Sequence, residues 1–293
     1  MKKKIKNKNV IFVDIIKHTE QEIKKTIENY KLCNKKEKVL VALSGGKDSA
    51  TTLYVLKKLG YNVEAFYLDL LIGDWSKKNQ VAVQELCKLL KVKLHLVNIR
   101  DELGYSMCSI KGGIKSKERL SNCMICGIIK RYLLNKTARK LGAKKIATGH
   151  NLDDEIEVYF MNLLKANTDL LWGVGPQNGV IRDKKFVPRI KPLYFITNAE
   201  TKKFTKTLKL PVVYEKCPCS TKAGIRNDAR AMISEFEKKN KKIKKELIGN
   251  MLKIIEQNRP RKYWAISYCE NCGEPSRNKV CKSCLLFEKM FKN

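Results

Sequence analysis

The sequence predicts an α/β protein built on a doubly wound parallel sheet. A basic N-terminal helical segment precedes the sheet, and a small cysteine-rich module follows it. Three observations carry that expectation. Apolar runs of strand length recur at 38–43, 62–70, 93–99 and 144–150, with helix-period segments between them. The first run passes through a glycine-rich turn straight into a helix, the arrangement that opens a ligand crevice in such sheets. Two close Cys-x-x-Cys pairs lie beyond the last helical pattern, at 269–284.

In chain order, residues 1–37 form a lysine-rich segment with a helix expected over about 18–32. Residues 38–226 form the α/β domain. "KVLVAL" (38–43) is its first strand, and "ATTLYVLKKLG" is a helix that stops at Gly60. "NVEAFYLDL" (62–70) is the second strand, followed by a helix over about 76–91 and a third strand, "KLHLVNI" (93–99). The polar stretch 100–120 reads as a loop, and the next helix starts at the pair Cys123–Cys126 and runs to Leu141. "KKIATGH" (144–150) is the fourth strand, and "DDEIEVYFMNLLKA" is the helix after it. "KFVPRIKPL" (185–193) reads as a proline-punctuated connection, and a helix with the strand "PVVYEKC" (211–217) closes the domain. Residues 227–267 form a basic helical region, with one or two helices over 227–258, and 268–293 form a separate module.

Lys and Arg outnumber Asp and Glu by 61 to 29, a formal charge of +32 over 293 residues. Such an excess repels itself unless a polyanion answers it, and nucleic acid is the natural partner. The 43% hydrophobic content supports a full core. No apolar stretch approaches the ~20 residues of a membrane span, and the short apolar run after the basic N-terminus is interrupted by Asp14. The expected location is the cytoplasm. Six of the 11 cysteines sit in Cys-x-x-Cys pairs, which in a reducing compartment signal metal or redox chemistry.

"VLVALSGGKDSA" places Gly45 and Gly46 between a strand end and a helix start, where backbone N–H groups and the helix dipole bind anions. Ser44 and Ser49 add hydroxyls, Lys47 a full charge, and Asp48 a carboxylate to orient the loop or a Mg²⁺ ion. The Walker A spacing is absent. The loop resembles the SGGxDS signature of the PP-loop ATP pyrophosphatases, and the resemblance implies cleavage of ATP between its α- and β-phosphates. Asp69, at the end of the second strand, fits two roles: lining the nucleotide pocket, or capping the next turn.

Cys123 and Cys126, at the start of a helix, suit half a zinc site, a redox dithiol or part of an iron–sulfur cluster. The ordered set SGGKDS, CxxCGxxKR, ATGHNLDDE, VPRIKPL, Cys217–Pro218 and CxxC…CxxC resembles the tRNA 2-thiolation enzymes, the TtuA/NcsA group of the wider TtcA-like family. That resemblance, over about residues 20–290, implies a [4Fe–4S] cluster on Cys123, Cys126 and Cys217, with one iron left for sulfur. It also places Lys130 and Asp154 near ATP and the target uridine. The chain departs from the family at "CPC", where Cys219 stands as an auxiliary ligand, a sulfur carrier or a bystander thiol. Members of the group carry a further N-terminal zinc finger. Residues 1–37 hold Cys33 alone, so the lysines there are expected to take over its electrostatic role.

"ATGHNLDDE" puts Gly149, His150, Asp153 and Asp154 at the ligand edge of the sheet. Gly149 permits close approach to the nucleotide. The two aspartates suit Mg²⁺ or proton transfer, and equally an N-cap pair for the next helix. A lone histidine such as His150 is more often structural than catalytic. Cys269, Cys272, Cys281 and Cys284 form two pairs eight residues apart, a spacing for tetrahedral Zn²⁺. Lys238–Lys245 and "RPRKYW" (259–264) mix cations with aromatics and together suit an RNA surface.

The expected activity is ATP-dependent 2-thiolation of a tRNA uridine, the uridine O2 being adenylated before sulfur replaces it. Free sulfide, a persulfide or a ubiquitin-like carrier protein is the donor, and a homodimer is the usual state of the relatives. A cytidine 2-thiolase and a PP-loop ligase or amidotransferase without a cluster are the alternatives.

Overall fold

A computed structural model of the chain describes residues 2–114, 120–166, 168–178, 183–220, 224–258 and 267–291. Helix α1 (Lys2–Asn29) precedes strand β1 (Val39–Leu43), which turns through the glycine loop into α2 (Lys47–Lys58). Next come β2 (Val63–Asp69), α3 (Gly73–Leu90) and β3 (Leu94–Asn98). Two short helices, α4 (Ile99–Leu103) and α5 (Met107–Gly113), occupy part of the expected loop, and α6 (Asn122–Lys140) leads into β4 (Lys145–Ala147). The chain continues through α7 (Leu152–Leu164), α8 (Thr168–Leu171), β5 (Gln177–Asn178), β6 (Arg189–Ile190) and α9 (Asn198–Thr207). Helices α10 (Ile225–Lys239) and α11 (Ile243–Asn258) follow. The hairpin β7 (Ser267–Tyr268) and β8 (Pro275–Ser276), with α12 (Lys282–Phe291), ends the described chain.

The sheet order is β3-β2-β1-β4-β6-β5, parallel except for β5. From β1 the chain builds outward to β3, then returns to lay β4 on the other side of β1. That reversal lies between β1 and β4, so a crevice opens beyond their C-terminal ends. The glycine loop and the 148–151 turn, which follow those two strands, flank it.

Both faces of the sheet are buried, which is why its strands read as nearly unbroken apolar runs. Alternate residues separate the layers. Val39, Val41, Ala65 and Tyr67 pack with Ile23 and Ile27 of α1, Leu53 of α2, Leu86 of α3 and Phe204 of α9. Leu40, Phe66 and Leu68 pack with Ile110 of α5, Ile125 and Ile129 of α6, and Leu286 of α12. Ile156 of α7, Ile233 of α10 and Met251 of α11 form a third cluster with Tyr194. Ile23 and Ile27 are almost wholly buried, each contributing ~1.5–3 kcal/mol, so the lysine-rich helix belongs to the fold.

Several elements differ from the sequence reading. α1 begins at Lys2 rather than near 18, because lysine is a good helix former and does not interrupt it. Residues 211–217 are not a strand. They lie across the glycine loop, where Val213 N–H donates to the Gly45 carbonyl at 2.8 Å, and Pro211 has no N–H for a ladder. Residues 185–193, read as a connection, supply β6. Pro188 is tolerated because the sheet asks only for its carbonyl, which accepts from Ile146 N–H at 2.9 Å. No helix among the described residues is long and apolar enough to cross a membrane.

Candidate active site at the sheet switch point

The glycine loop is held shut by its serines. Ser44 N–H donates to Ser49 Oγ at 3.2 Å, and Ser49 Oγ donates to the Gly46 carbonyl at 3.1 Å. Gly45 adopts φ +81°, and a Cβ there would stand 2.2 Å from Asn79 Oδ1. Gly149 is required for a different reason: a Cβ would lie 2.7 Å from the Ser49 backbone nitrogen. Its bareness lets the β4 turn pack directly onto the phosphate loop.

Asp48 is the hub behind the loop. Its Oδ1 accepts from Lys47 Nζ at 2.6 Å, Thr201 Oγ1 at 2.6 Å and Asn151 Nδ2 at 3.1 Å. Lys47 also donates to Asn198 Oδ1 at 2.6 Å and Thr201 Oγ1 at 3.1 Å. Its charge is therefore spent tying α2 to α9, and it does not line the cavity. Asn151, almost fully buried, caps α7 in a reciprocal box with Asp154. Asp153 turns away: its Oδ2 accepts from Asn198 N–H at 2.6 Å and its Oδ1 pairs with Lys244 at 2.6 Å. Asp69 accepts from Leu71 N–H at 2.9 Å, a contact that caps its own turn. Asp153 and Asp69 are thus engaged by neighbouring protein groups and are not among the residues lining the cavity.

A cavity of about 440 Å³ opens at the switch point. Ser44, Asp48, Ser49, Gly149, His150, Asp154 and Lys130 line it, joined by the apolar wall of Phe66, Leu68, Leu70 and Trp75. Gly45, Gly46 and the cysteines are not among its lining residues. A larger hollow between Asn34–Lys38 and Gly142–Lys144 lies where the strands begin. Parallel sheets bind at the opposite, C-terminal ends of their strands, so the switch-point cavity is the candidate site.

Burial pushes the Asp154 carboxyl up to about 6, against the pull of Arg226. Arg226 Nη2 lies 2.8 Å from Asp154, and its Nε lies 2.7 Å from the buried Glu157, which Arg230 also holds at 2.5 Å. The His150 ring is crowded by protein atoms on its flanks and open to solvent through the cavity. That crowding, with Lys191 and Arg189 nearby, pushes its pKa down to about 4. It is neutral at pH 7 and bonds Thr148 Oγ1 through Nδ1 at 2.9 Å. Below the floor, Lys191 and Glu155 form a buried ion pair at 2.6 Å.

Ser121 caps α6 by accepting from Met124 N–H at 3.2 Å, which sets Cys123 and Cys126 in the first turn. Cys126, Cys217 and Cys219 pack against the same apolar cluster. The Cys217 thiol is raised by burial; the Cys219 backbone N–H draws it down and the Cys219 thiol pushes it up, with smaller influences from Lys130 (down) and Cys126 (up). Those influences put Cys217 beside the helix that carries Cys126 and Lys130. Cys123 is exposed, and Cys126 and Cys217 are partly so.

The cysteine module is more tightly drawn. The ligand atoms of Cys269, Cys272, Cys281 and Cys284 lie within 4.8 Å of one another, the one such group among the described residues. Cys272 and Cys281 sulfurs stand 3.7 Å apart, close to the ~3.8 Å that tetrahedral Zn–S bonds of ~2.3 Å require. Burial raises the Cys269 thiol, but backbone N–H groups of Cys281, Cys272 and Asn271 outweigh it and bring it to about 6. Glu274 anchors the module through Arg139 and Asn135, and Lys185 Nζ donates to the Gly273 carbonyl at 2.8 Å.

Three cationic cavity residues escaped the sequence reading as site residues: Arg131, Arg189 and Arg226. The first two stood inside quoted motifs, CxxCGxxKR and VPRIKPL, without being singled out. Nothing in the spacing of Arg226 marks it. Of the expected RNA surface, residues 259–264 lie outside the described residues.

A switch-point cavity behind a glycine loop, with a cysteine-headed helix at its side, defines a PP-loop nucleotide-dependent protein. The PP-loop domain model matches residues 15–235. The tRNA-5-methyluridine(54) 2-sulfurtransferase of Pyrococcus horikoshii is 38% identical over 269 residues, covering 90% of this chain and 83% of that protein. The cytoplasmic tRNA 2-thiolation protein 1 of Caenorhabditis elegans is 30% identical, covering 92% and 72%. Among solved structures, the U34-tRNA thiolase NcsA from Methanococcus maripaludis with its [4Fe–4S] cluster superposes with a TM-score of 0.78 at 26% identity, covering 94% of this chain and 87% of that one. The chain belongs to the PP-loop family and, within it, to the tRNA 2-sulfurtransferases.

Proposed function

We propose that this enzyme 2-thiolates a tRNA uridine at the expense of ATP. The observation that carries the reading is the convergence of Ser44, Ser49, Asp154 and Lys130 on one cavity, with Cys217 within electrostatic reach of Lys130 and Cys126 beside it. The relatives named for position 54, at 38% and 30% identity, support the T-loop uridine over the wobble uridine.

The loop N–H groups and the α2 N-terminus hold the ATP phosphates. The uridine O2 attacks the α-phosphorus, the bond to pyrophosphate breaks, and the N3 proton is lost. Asp154, with its carboxyl near pH 6, is placed to take that proton. Lys130 offsets the charge on the phosphates. Sulfur then replaces the adenylated oxygen at C2, and AMP leaves. Asp48 and Asp154 are the carboxylates on the cavity wall and would hold Mg²⁺.

Cys123, Cys126 and Cys217 fit an iron–sulfur cluster by donor type, and their sulfurs are spread more widely than a single ion demands. With three protein ligands, a bound [4Fe–4S] cluster supplies one iron open to exogenous sulfur. Lys130 and Arg131, on the same helix, counter the negative charge of the thiolates. The four C-terminal thiols would hold Zn²⁺, and Lys238, Lys239, Lys241, Lys242 and Lys245, which face solvent, would form an RNA contact.

The test is anaerobic incubation of reconstituted enzyme with ATP, tRNA and sulfide, followed by mass analysis of nucleosides. A 2-thiouridine or 2-thio-5-methyluridine product with stoichiometric pyrophosphate is expected. Thiocytidine, or pyrophosphate release without thiolation, contradicts the reading.

A further inference from the structure

The cavity holds two arginines to which the proposed chemistry assigns no contact with ATP or RNA. Arg131, on α6, and Arg189, on β6, both line it, and both also line a smaller hollow of about 190 Å³ behind it. Among the described residues neither guanidinium has a hydrogen bond or an ion pair. Arg189 Nε is fully buried and has no partner. A buried donor left unpaired costs ~1–3 kcal/mol, more for a charged group.

The local carboxylates are already committed. Asp154 is engaged by Arg226, Asp48 by Lys47, Thr201 and Asn151, and Glu274 by Arg139. Gly127 sets the position of Arg131: a Cβ there would stand 3.1 Å from Arg131 Nη1, so the guanidinium lies along its own helix. Arg131 is near enough to Arg189 that its charge helps lower the Arg189 pKa to about 10, burial being the larger cause. Arg131 is open to solvent and the Cys126 thiol is the protein group that favours its charge, whereas Arg189 Nε is buried without a partner. Two such like charges at one cavity favour an anionic ligand with bidentate acceptors.

We propose that Arg131 and Arg189 form a second anion subsite, separate from the glycine loop, that takes one phosphate group in bidentate fashion. That phosphate belongs either to the nucleotide or to the RNA backbone at the target uridine. This deepens the thiolation reading and, for its two biological sources, rests on it.

The test measures dissociation constants of inorganic phosphate, ATP and a tRNA transcript by calorimetry, for the unaltered protein, Arg131→Gln and Arg189→Gln. Each variant is expected to weaken phosphate binding about 10- to 100-fold. If the nucleotide is the source, ATP affinity falls by a similar factor while tRNA affinity holds. If RNA is the source, tRNA affinity falls and its log–log salt slope drops by about one, while ATP affinity holds. Arg189→Lys keeps the charge but loses the fork, so it serves if Arg189→Gln does not fold, and an intermediate loss is expected. Unaltered protein that binds phosphate but neither ATP nor tRNA sinks the thiolation reading and leaves the subsite standing. Unchanged affinities for all three probes in the folded variants overturn the subsite.

Discussion

Gly149 packs so closely on Ser49 that a Cβ would stand 2.7 Å from the Ser49 backbone nitrogen. Two loops from neighbouring strands are thereby locked at the switch point, and neither can yield without moving a strand end. Gly149→Ala is expected to push the phosphate loop out of shape and to weaken ATP binding by at least tenfold, with a stability loss of about 1–3 kcal/mol from overpacking. Calorimetric titration with ATP and a thermal melt check it. An alanine variant with native ATP affinity would show that the contact is not needed.

Asp154 predicts the acid limb of the pH profile. Its carboxyl titrates near 6, and the role given to it requires the ionised form. Activity is therefore expected to fall about tenfold per pH unit below 6 and to level off above it. Arg226 pulls that pKa down, so Arg226→Gln is expected to move the limb to higher pH. A limb that stays in place in the variant argues that another group sets it.

The Lys191–Glu155 pair sits under the cavity with both side chains almost fully buried. Removing one partner strands a charge. Lys191→Met is expected to cost about 3–5 kcal/mol, while Lys191→Met with Glu155→Leu recovers most of that loss. Denaturant melts of the three proteins decide it, and equal stability of the single and double variants counts against the pairing.

The cysteine module predicts one Zn²⁺ per chain by elemental analysis. Cys272→Ser or chelation is expected to lower the melting temperature by several degrees, because α12 and the Glu274–Arg139 anchor depend on the knotted turn. A module that keeps its stability with no metal at all runs against this.

Much of this was legible in the sequence because the signals were local. The phosphate loop, the capped α6 and the paired cysteines each declare themselves within a dozen residues. The clustering of the four C-terminal cysteines needed no tertiary information, and the apolar runs gave β1 to β4 nearly in place. What was not legible depended on partners distant in the chain. The contacts of Lys47 with Asn198 and Thr201, and of Asp153 with Asn198 and Lys244, join residues far apart in the chain. Residues 211–217 had a strand's composition, but their neighbour is a loop, and β6 was hidden by prolines whose carbonyls alone are used. Arg226 carries no spacing signal, because it reaches the site by the packing of α10 on α7.

The central claim is that Cys217 joins Cys123 and Cys126 in one metal-binding set. The most direct measurement is iron and sulfide content, with the visible absorption spectrum, after anaerobic reconstitution of the unaltered protein, Cys217→Ala and Cys219→Ala. The account predicts four irons and a broad absorption near 400 nm, as such clusters show (on the order of 400 nm), in the unaltered protein and in Cys219→Ala, and loss of both in Cys217→Ala. A full cluster in Cys217→Ala contradicts it.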